Sequence, residues 1–233
     1  MAGSLPHGGP RQGAVIRKLT PEGAEAFIRA NTTLRPPPHV PEIRLHLADE
    51  AHDLWQRTEE ELDAIGLPPP FWAFAWAGGQ GLARYILDHR EAVRGRTVFD
   101  FATGSGLVAI AACKAGATRV TAADTDPFSA TACGLNMAAN GVTFGLTADE
   151  LVGSDPGCEV LLAGDVFYDR TLAEMVAPWF AHLAASGITV LVGDPGRAYL
   201  PKAQMQPLAT YSVPVTRALE DAEVKRTTVW RFS

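Results

Sequence analysis

The stretch DFATGSG, residues 100–106, decides how this chain is read. Gly104 and Gly106 let the backbone turn sharply and approach a ligand closely, and the apolar run from Leu107 opens a helix behind them. A short apolar strand, Thr97 to Phe101, leads into the loop. Twenty positions after Gly104 stands Asp124, at the end of a second strand, Arg119 to Ala123. Strand, glycine loop, helix, strand and acid is the order of a nucleotide-binding α/β unit, whose acid accepts hydrogen bonds from ribose hydroxyls. A plain tight turn is the other reading of the two glycines.

Asp100 bears on which ligand the loop would take. A dinucleotide fingerprint, G-x-G-x-x-G, is approximated by Gly104, Gly106 and Ala109. A carboxylate closing the first strand would repel a pyrophosphate. It suits a ligand with a positive end, such as the amino group of S-adenosylmethionine.

Outward from the loop, the rhythm is strand, loop, helix. Helices are predicted over Leu107–Ala115, Ser129–Ala139 and Leu172–Ala185, and strands over Val142–Thr147, Glu159–Ala163 and Gly187–Val192. Two β-rich runs, Thr210–Thr216 and Thr227–Phe232, are expected to pair antiparallel at the end of a mostly parallel, doubly wound sheet. Ligands bind at the carboxyl ends of such strands, which makes Asp100, Asp124, Asp165 and Asp194 a set. The stretch Asp194-Pro195-Gly196-Arg197 either contributes to a substrate mouth or forms a plain turn.

Upstream, Thr20-Pro21-Glu22 reads as an N-cap, a first-turn proline and an acid, opening a helix that ends near Asn31. RPPPHVPEI, residues 35–43, is expected to be extended. A long helix is expected over residues 48–65, closed by Gly66, and a shorter one over Leu82–His89.

Of 233 residues, 47% are apolar and 20% charged, enough for one α/β domain with a core. A net charge of −6 and the lack of any clustered Lys/Arg run argue against a nucleic-acid partner. No apolar stretch approaches the roughly eighteen residues of a membrane span. Residues 1–20 carry no acid and include Arg11, Arg17 and Lys18, but their Gly and Pro residues would break a transit-peptide helix, so a flexible N-terminus is expected. Cys113, Cys133 and Cys158 form no CxxC pair, which points to a reducing compartment, with cytoplasm as the expectation. The scattered histidines lack ligand spacing, so no metal is expected.

Two longer stretches, DFATGSGLVAIAACKAG (100–116) and VTAADTDPFSATACGLNMAANGV (120–142), resemble the seven-strand S-adenosylmethionine-dependent methyltransferases. They are similar both to protein methyltransferases of the large-subunit ribosomal type and to the electron transfer flavoprotein beta subunit lysine methyltransferase group. FWAFAWAGGQGLARYILDH (71–89) and GDVFYD (164–169) match the second group, the latter as an Asp-x-x-Tyr motif. The resemblance implies a Rossmann-like seven-strand fold over residues 97–233 and an N-terminal helical extension over 21–96. It also implies S-adenosylmethionine as cofactor and a lysine of the flavoprotein beta subunit as substrate, with nothing requiring more than a monomer. A ribosomal-protein substrate and a non-catalytic binding module are the alternatives.

Carried over by position, the resemblance places Asp100, Gly104, Ser105 and Gly106 around the methionine part of the cofactor. Asp124 would hold the ribose with Thr125 beside it, and Asp149 would lie near the adenine. Trp76 would either cover the cofactor or anchor the N-terminal segment as a buried aromatic. Asp165 and Tyr168 would serve at the reaction site, Asp165 orienting the lysine and Tyr168 forming a wall beside its amine. Capping of the following segment is the plainer role for Asp165. Ala102 stands where a glycine is common, and alanine fits if the backbone there keeps a negative φ.

Overall fold

A computed structural model describes residues 20–48, 69–215 and 222–233. The helix expected over residues 48–65, apart from Ala48, and the segment ahead of Thr20 lie outside them. The chain order is α1 (Pro21–Asn31), β1 (Thr33–Arg35), β2 (Leu45–Leu47), α2 (Ala77–Asp88), β3 (Thr97–Phe101), α3 (Leu107–Ala115) and β4 (Arg119–Ala123). It continues with α4 (Pro127–Asn140), β5 (Gly145–Thr147), β6 (Val160–Gly164), α5 (Arg170–Ala185), β7 (Thr189–Asp194), β8 (Met205–Pro214) and β9 (Val224–Phe232).

Seven strands form one sheet in the order β5-β4-β3-β6-β7-β9-β8. The first five run parallel, and β9 inserts antiparallel between β7 and β8. The chain leaves β3 for one side of the sheet and returns at β6 on the other, so a crevice opens at the carboxyl ends of these two strands. This is a Rossmann-like seven-strand sheet with a C-terminal antiparallel strand pair, as the strand–helix alternation predicts.

The central strands are apolar because both of their faces are covered. Val98, Val160 and Leu162 join the core under α2 and α3, while Phe99, Leu161 and Ala163 join the core under α5. With a period of two, Asp100 falls on the face of Val98, turned toward α3. Helix α3 lies tightly over it, because Ala109, Ala111 and Ala112 leave no side-chain bulk to hold it off.

Helix α2 begins five residues earlier than the sequence reading places it, and its glycines explain why. Gly78, Gly79 and Gly81 are poor helix formers, so the periodicity is legible only from Leu82. Their backbone instead packs directly on the sheet. A Cβ on Gly78 would collide with the Gly193 carbonyl, and one on Gly164 would lie 2.8 Å from Gly79 Cα. Helix α4 also starts early, at the Asp126 N-cap and first-turn Pro127.

Residues 35–43 are not extended throughout. They turn twice between β1 and β2, with Val40 N–H donating to Pro37 O and Ile43 N–H to Val40 O. Burial of Val40 and Ile43 overrides the extended bias of the prolines, and β1 and β2 close into an antiparallel hairpin. Residues 20–48, the first part of the N-terminal extension, therefore hold a helix followed by a hairpin. Two side chains of α4 hold that hairpin: Asn136 Oδ1 accepts from His46 N–H at 2.8 Å, and Asn140 Oδ1 from Arg44 N–H at 3.0 Å.

Candidate active site

At the carboxyl ends of the parallel strands lies a cleft of ≈ 590 Å³. Its walls come from residues 71–76, the glycine loop, the segments after β4, β5 and β6, and Arg197 after β7. Nine of the ten site residues expected from sequence line it: Trp76, Asp100, Gly104, Ser105, Asp124, Thr125, Asp149, Asp165 and Tyr168. Gly106 does not reach the cleft. It ends the loop at φ +81 as the N-cap of α3, where a Cβ would lie 3.1 Å from both Cys133 Sγ and Phe144 Cζ.

The loop is held from three sides. Asp124 Oδ2 accepts from Gly104 N–H at 2.7 Å, while its Oδ1 accepts from Asp126 N–H at 2.9 Å. Asn136, fully buried on α4, donates from Nδ2 to Ser105 O at 2.8 Å. Thr103 Oγ1 donates to Asp100 Oδ2, and so does Ala109 N–H at 2.9 Å. Ala102 adopts φ +54, so the negative φ expected there does not occur. An alanine in this left-handed region carries strain on the order of 1 kcal/mol that a glycine would not.

Asp100 is 1% exposed. Burial pushes its carboxyl up to about 7; the hydrogen bonds from Thr103 and Ala109 oppose that rise, and the Asp124 charge adds to it. Asp126, which caps α4 through Phe128 N–H, is likewise pushed to about 7 by burial. A cation placed beside these groups would restore their charge.

Asp165 sits at φ +61, just past β6, and is 7% exposed. Its Oδ2 accepts from Gly78 N–H at the start of α2, and its Oδ1 from Arg197 Nε at 2.5 Å. The cap of the next helix is Asp169, whose Oδ1 accepts from Leu172 N–H, so Asp165 does not cap the segment that follows it. Tyr168 is 48% exposed and packs against Phe71, with ring centroids 5.6 Å apart. The half-buried Trp76 donates from Nε1 to Phe71 O, and it lines the cleft. Asp149 stands exposed at the rim, its Oδ2 accepting from Thr147 Oγ1.

The Asp194–Arg197 stretch is both a turn and part of the site. Asp194 Oδ1 accepts from Gly196 and Arg197 N–H groups, and this turn sends the Arg197 guanidinium over the Trp76 ring, 5.9 Å from its centroid. Sequence reasoning missed Asp126, Ser129 and Trp72 as lining residues. The Asp126-Pro127 pair was a legible N-cap signal; Ser129 and Trp72 carry no distinguishing pattern.

In comparisons with known proteins, the family model described as ribosomal protein L11 methyltransferase (PrmA) matches residues 83–193. The chain is 38% identical over 214 residues to an electron transfer flavoprotein beta subunit lysine methyltransferase of Xenopus laevis, covering 89% of this chain and 86% of that one. The Danio rerio protein of the same name is 36% identical over 201 residues, 83% of this chain and 77% of its own length. Among solved structures, the magnesium protoporphyrin IX methyltransferase (ChlM) of Synechocystis PCC 6803 with bound SAM matches with a TM-score of 0.50. That match has 15% identity and covers 79% of this chain and 92% of that one, a likeness of fold alone.

Proposed function

The chain belongs to the electron transfer flavoprotein beta subunit lysine methyltransferase family, and on that premise we propose that its cleft passes methyl groups from S-adenosylmethionine to a lysine of that beta subunit. One observation carries the reading: Asp165 and Tyr168 open into the same cleft as the glycine loop and Asp124. Donor and acceptor sites are thereby adjacent. The ribosomal family model matches residues 83–193, whereas the two lysine methyltransferase relatives align over 89% and 83% of the chain.

The residues present fit the donor. The cleft volume falls within the roughly 300–1,000 Å³ of small-molecule sites. Two of the residues that line it, Ser129 and Trp72, each carry a buried polar atom, Oγ and Nε1, with no hydrogen-bond partner among the described residues. Seven carboxylates line it, at Asp100, Asp124, Asp126, Asp149, Glu150, Asp165 and Asp169, which suits a ligand bearing an ammonium and a sulfonium. In this reading Asp100 holds the ammonium, Gly104 and Ser105 approach the methionine chain, and Asp124 takes the ribose with Thr125 beside it. Asp149 flanks the adenine and Trp76 covers the site.

S-adenosylmethionine, when bound, supplies a methyl group made electrophilic by its sulfonium. The protein's part is alignment and exclusion of water. Asp165 orients the incoming lysine, while Phe71, Trp76 and Tyr168 wall the amine. The lysine nitrogen attacks only when neutral, because an ammonium has no lone pair. The amine would take the methyl group from the donor, which would depart as a neutral thioether, and the surplus proton on the lysine nitrogen would leave to solvent.

Cys113, Cys133 and Cys158 are free thiols, which supports placing the reaction in a reducing, cytoplasmic setting. Calorimetry with S-adenosylmethionine and, separately, NAD tests the donor half of the proposal. Binding of NAD alone would end it.

A further inference from the structure

The acceptor half of the cleft poses an electrostatic problem. A lysine entering it meets Asp165, and the cleft as a whole adds the acids Asp100 on β3, Asp124 and Asp126 after β4, Asp149 and Glu150 after β5, and Asp169 after β6; the uncharged phenol of Tyr168 lines it too. Left uncompensated, that much negative charge favours the ammonium form and so opposes the reaction. Arg197 is the one cationic side chain that lines the cleft among the described residues. It comes from the far wall, after β7, and its Nε meets Asp165 Oδ1 at 2.5 Å.

We propose that Arg197 is a positioning residue for methyl transfer: its ion pair with Asp165 lets that carboxylate hold a lysine as the neutral amine instead of the ammonium. The inference rests on the lysine methyltransferase reading. Its geometry is specific. Asp165 is held on one oxygen by Gly78 N–H and on the other by Arg197, so its charge is balanced from the far wall of the cleft. An amine N–H can therefore hydrogen-bond to Asp165 without meeting an unbalanced charge. The guanidinium is held in turn by the Trp76 ring, 5.9 Å away, and by the Asp194 turn that fixes its backbone N–H. Before attack, the ammonium gives its proton to solvent at the cleft mouth, where Tyr168 is exposed. After transfer the methylated nitrogen carries the positive charge until it too releases a proton.

The test uses the full chain with saturating S-adenosylmethionine, measuring single-turnover methylation of the flavoprotein beta subunit from about pH 7 to about pH 10. Thermal melts with and without donor monitor folding and donor binding. Arg197→Met, with Arg197→Gln as a second neutral variant, is expected to bind donor yet lose about tenfold or more in rate at the low end. Its rate profile should move toward the free-lysine pKa of about 10.4, so that much of the loss is recovered at high pH. Arg197→Lys should restore part of the low-pH rate. Loss by one constant factor at every pH, or loss of donor binding, overturns the inference and leaves the lysine reading standing. Wild-type protein that binds donor and methylates no lysine overturns both.

Discussion

The backbone N–H of Gly104 donates to Asp124 Oδ2 across 2.7 Å, so the acid expected to hold a ribose also ties the glycine loop to the end of β4. In the proposed donor pose, loop geometry and donor binding would be coupled through this one carboxylate. Asp124→Ala should lose at least about tenfold in donor affinity, from the bond to the ligand and from a slack loop together. Calorimetry measures it, and an unchanged Kd would place the ribose elsewhere.

Gly78 tolerates no side chain. A Cβ there meets the Gly193 carbonyl and comes within 2.8 Å of Asp165 N and Oδ2, which would push apart α2, β6 and β7. Gly78→Ala should destabilise the fold by about 1–3 kcal/mol, lowering Tm by several degrees. It should also disturb Asp165, so transfer falls more than donor binding does. Urea unfolding beside both assays reads this out.

Burial raises the Asp100 carboxyl to about 7, above its ordinary value near 3.8. A raised pKa favours folding while the group is protonated, and that contribution is lost as pH rises through about 7. The free protein should therefore lose stability between about pH 5 and pH 8, with Asp126 adding to the trend. A cationic donor reverses it, because its ammonium stabilises the Asp100 charge. The donor-induced rise in Tm should be larger at about pH 8 than at about pH 6, and Asp100→Asn should flatten the difference.

Ala102, at φ +54, is a residue that a glycine would serve better. Ala102→Gly relieves strain of about 1 kcal/mol, partly offset by the extra freedom glycine has when unfolded, for a net gain of up to about 0.5 kcal/mol. Ala102→Val should be destabilising, since a β-branched side chain fits that region worst. Denaturant midpoints of the two variants should move in opposite directions.

Much of the fold was legible where local pattern and burial agree. The bounds of β3, α3 and β4 follow from short apolar runs set off by glycines and by Asp124, and they coincide with the observed elements. The reading failed where contact distant in sequence overrides local preference. Helix α2 keeps Gly78 because the Gly193 carbonyl lies against it and Gly81 because the Thr227 side chain does, and no window of residues 77–81 reveals either. The left-handed φ of Ala102 is likewise set by the loop closing onto Asp124. In the site, the acids at the strand ends were found because sheet topology gathers them. The Asp165–Arg197 pair was not, since it joins residues 32 apart through a turn that reads equally well as a plain one.

The central claim is lysine methylation of the flavoprotein beta subunit, and mass spectrometry of that subunit after incubation with the enzyme and S-adenosylmethionine tests it most directly. The account predicts one or more added methyl groups on a lysine side chain, absent without donor and lost with Asp165→Ala although that variant still binds donor. A beta subunit left unmodified by donor-binding enzyme, or modified on a residue other than lysine, would contradict it.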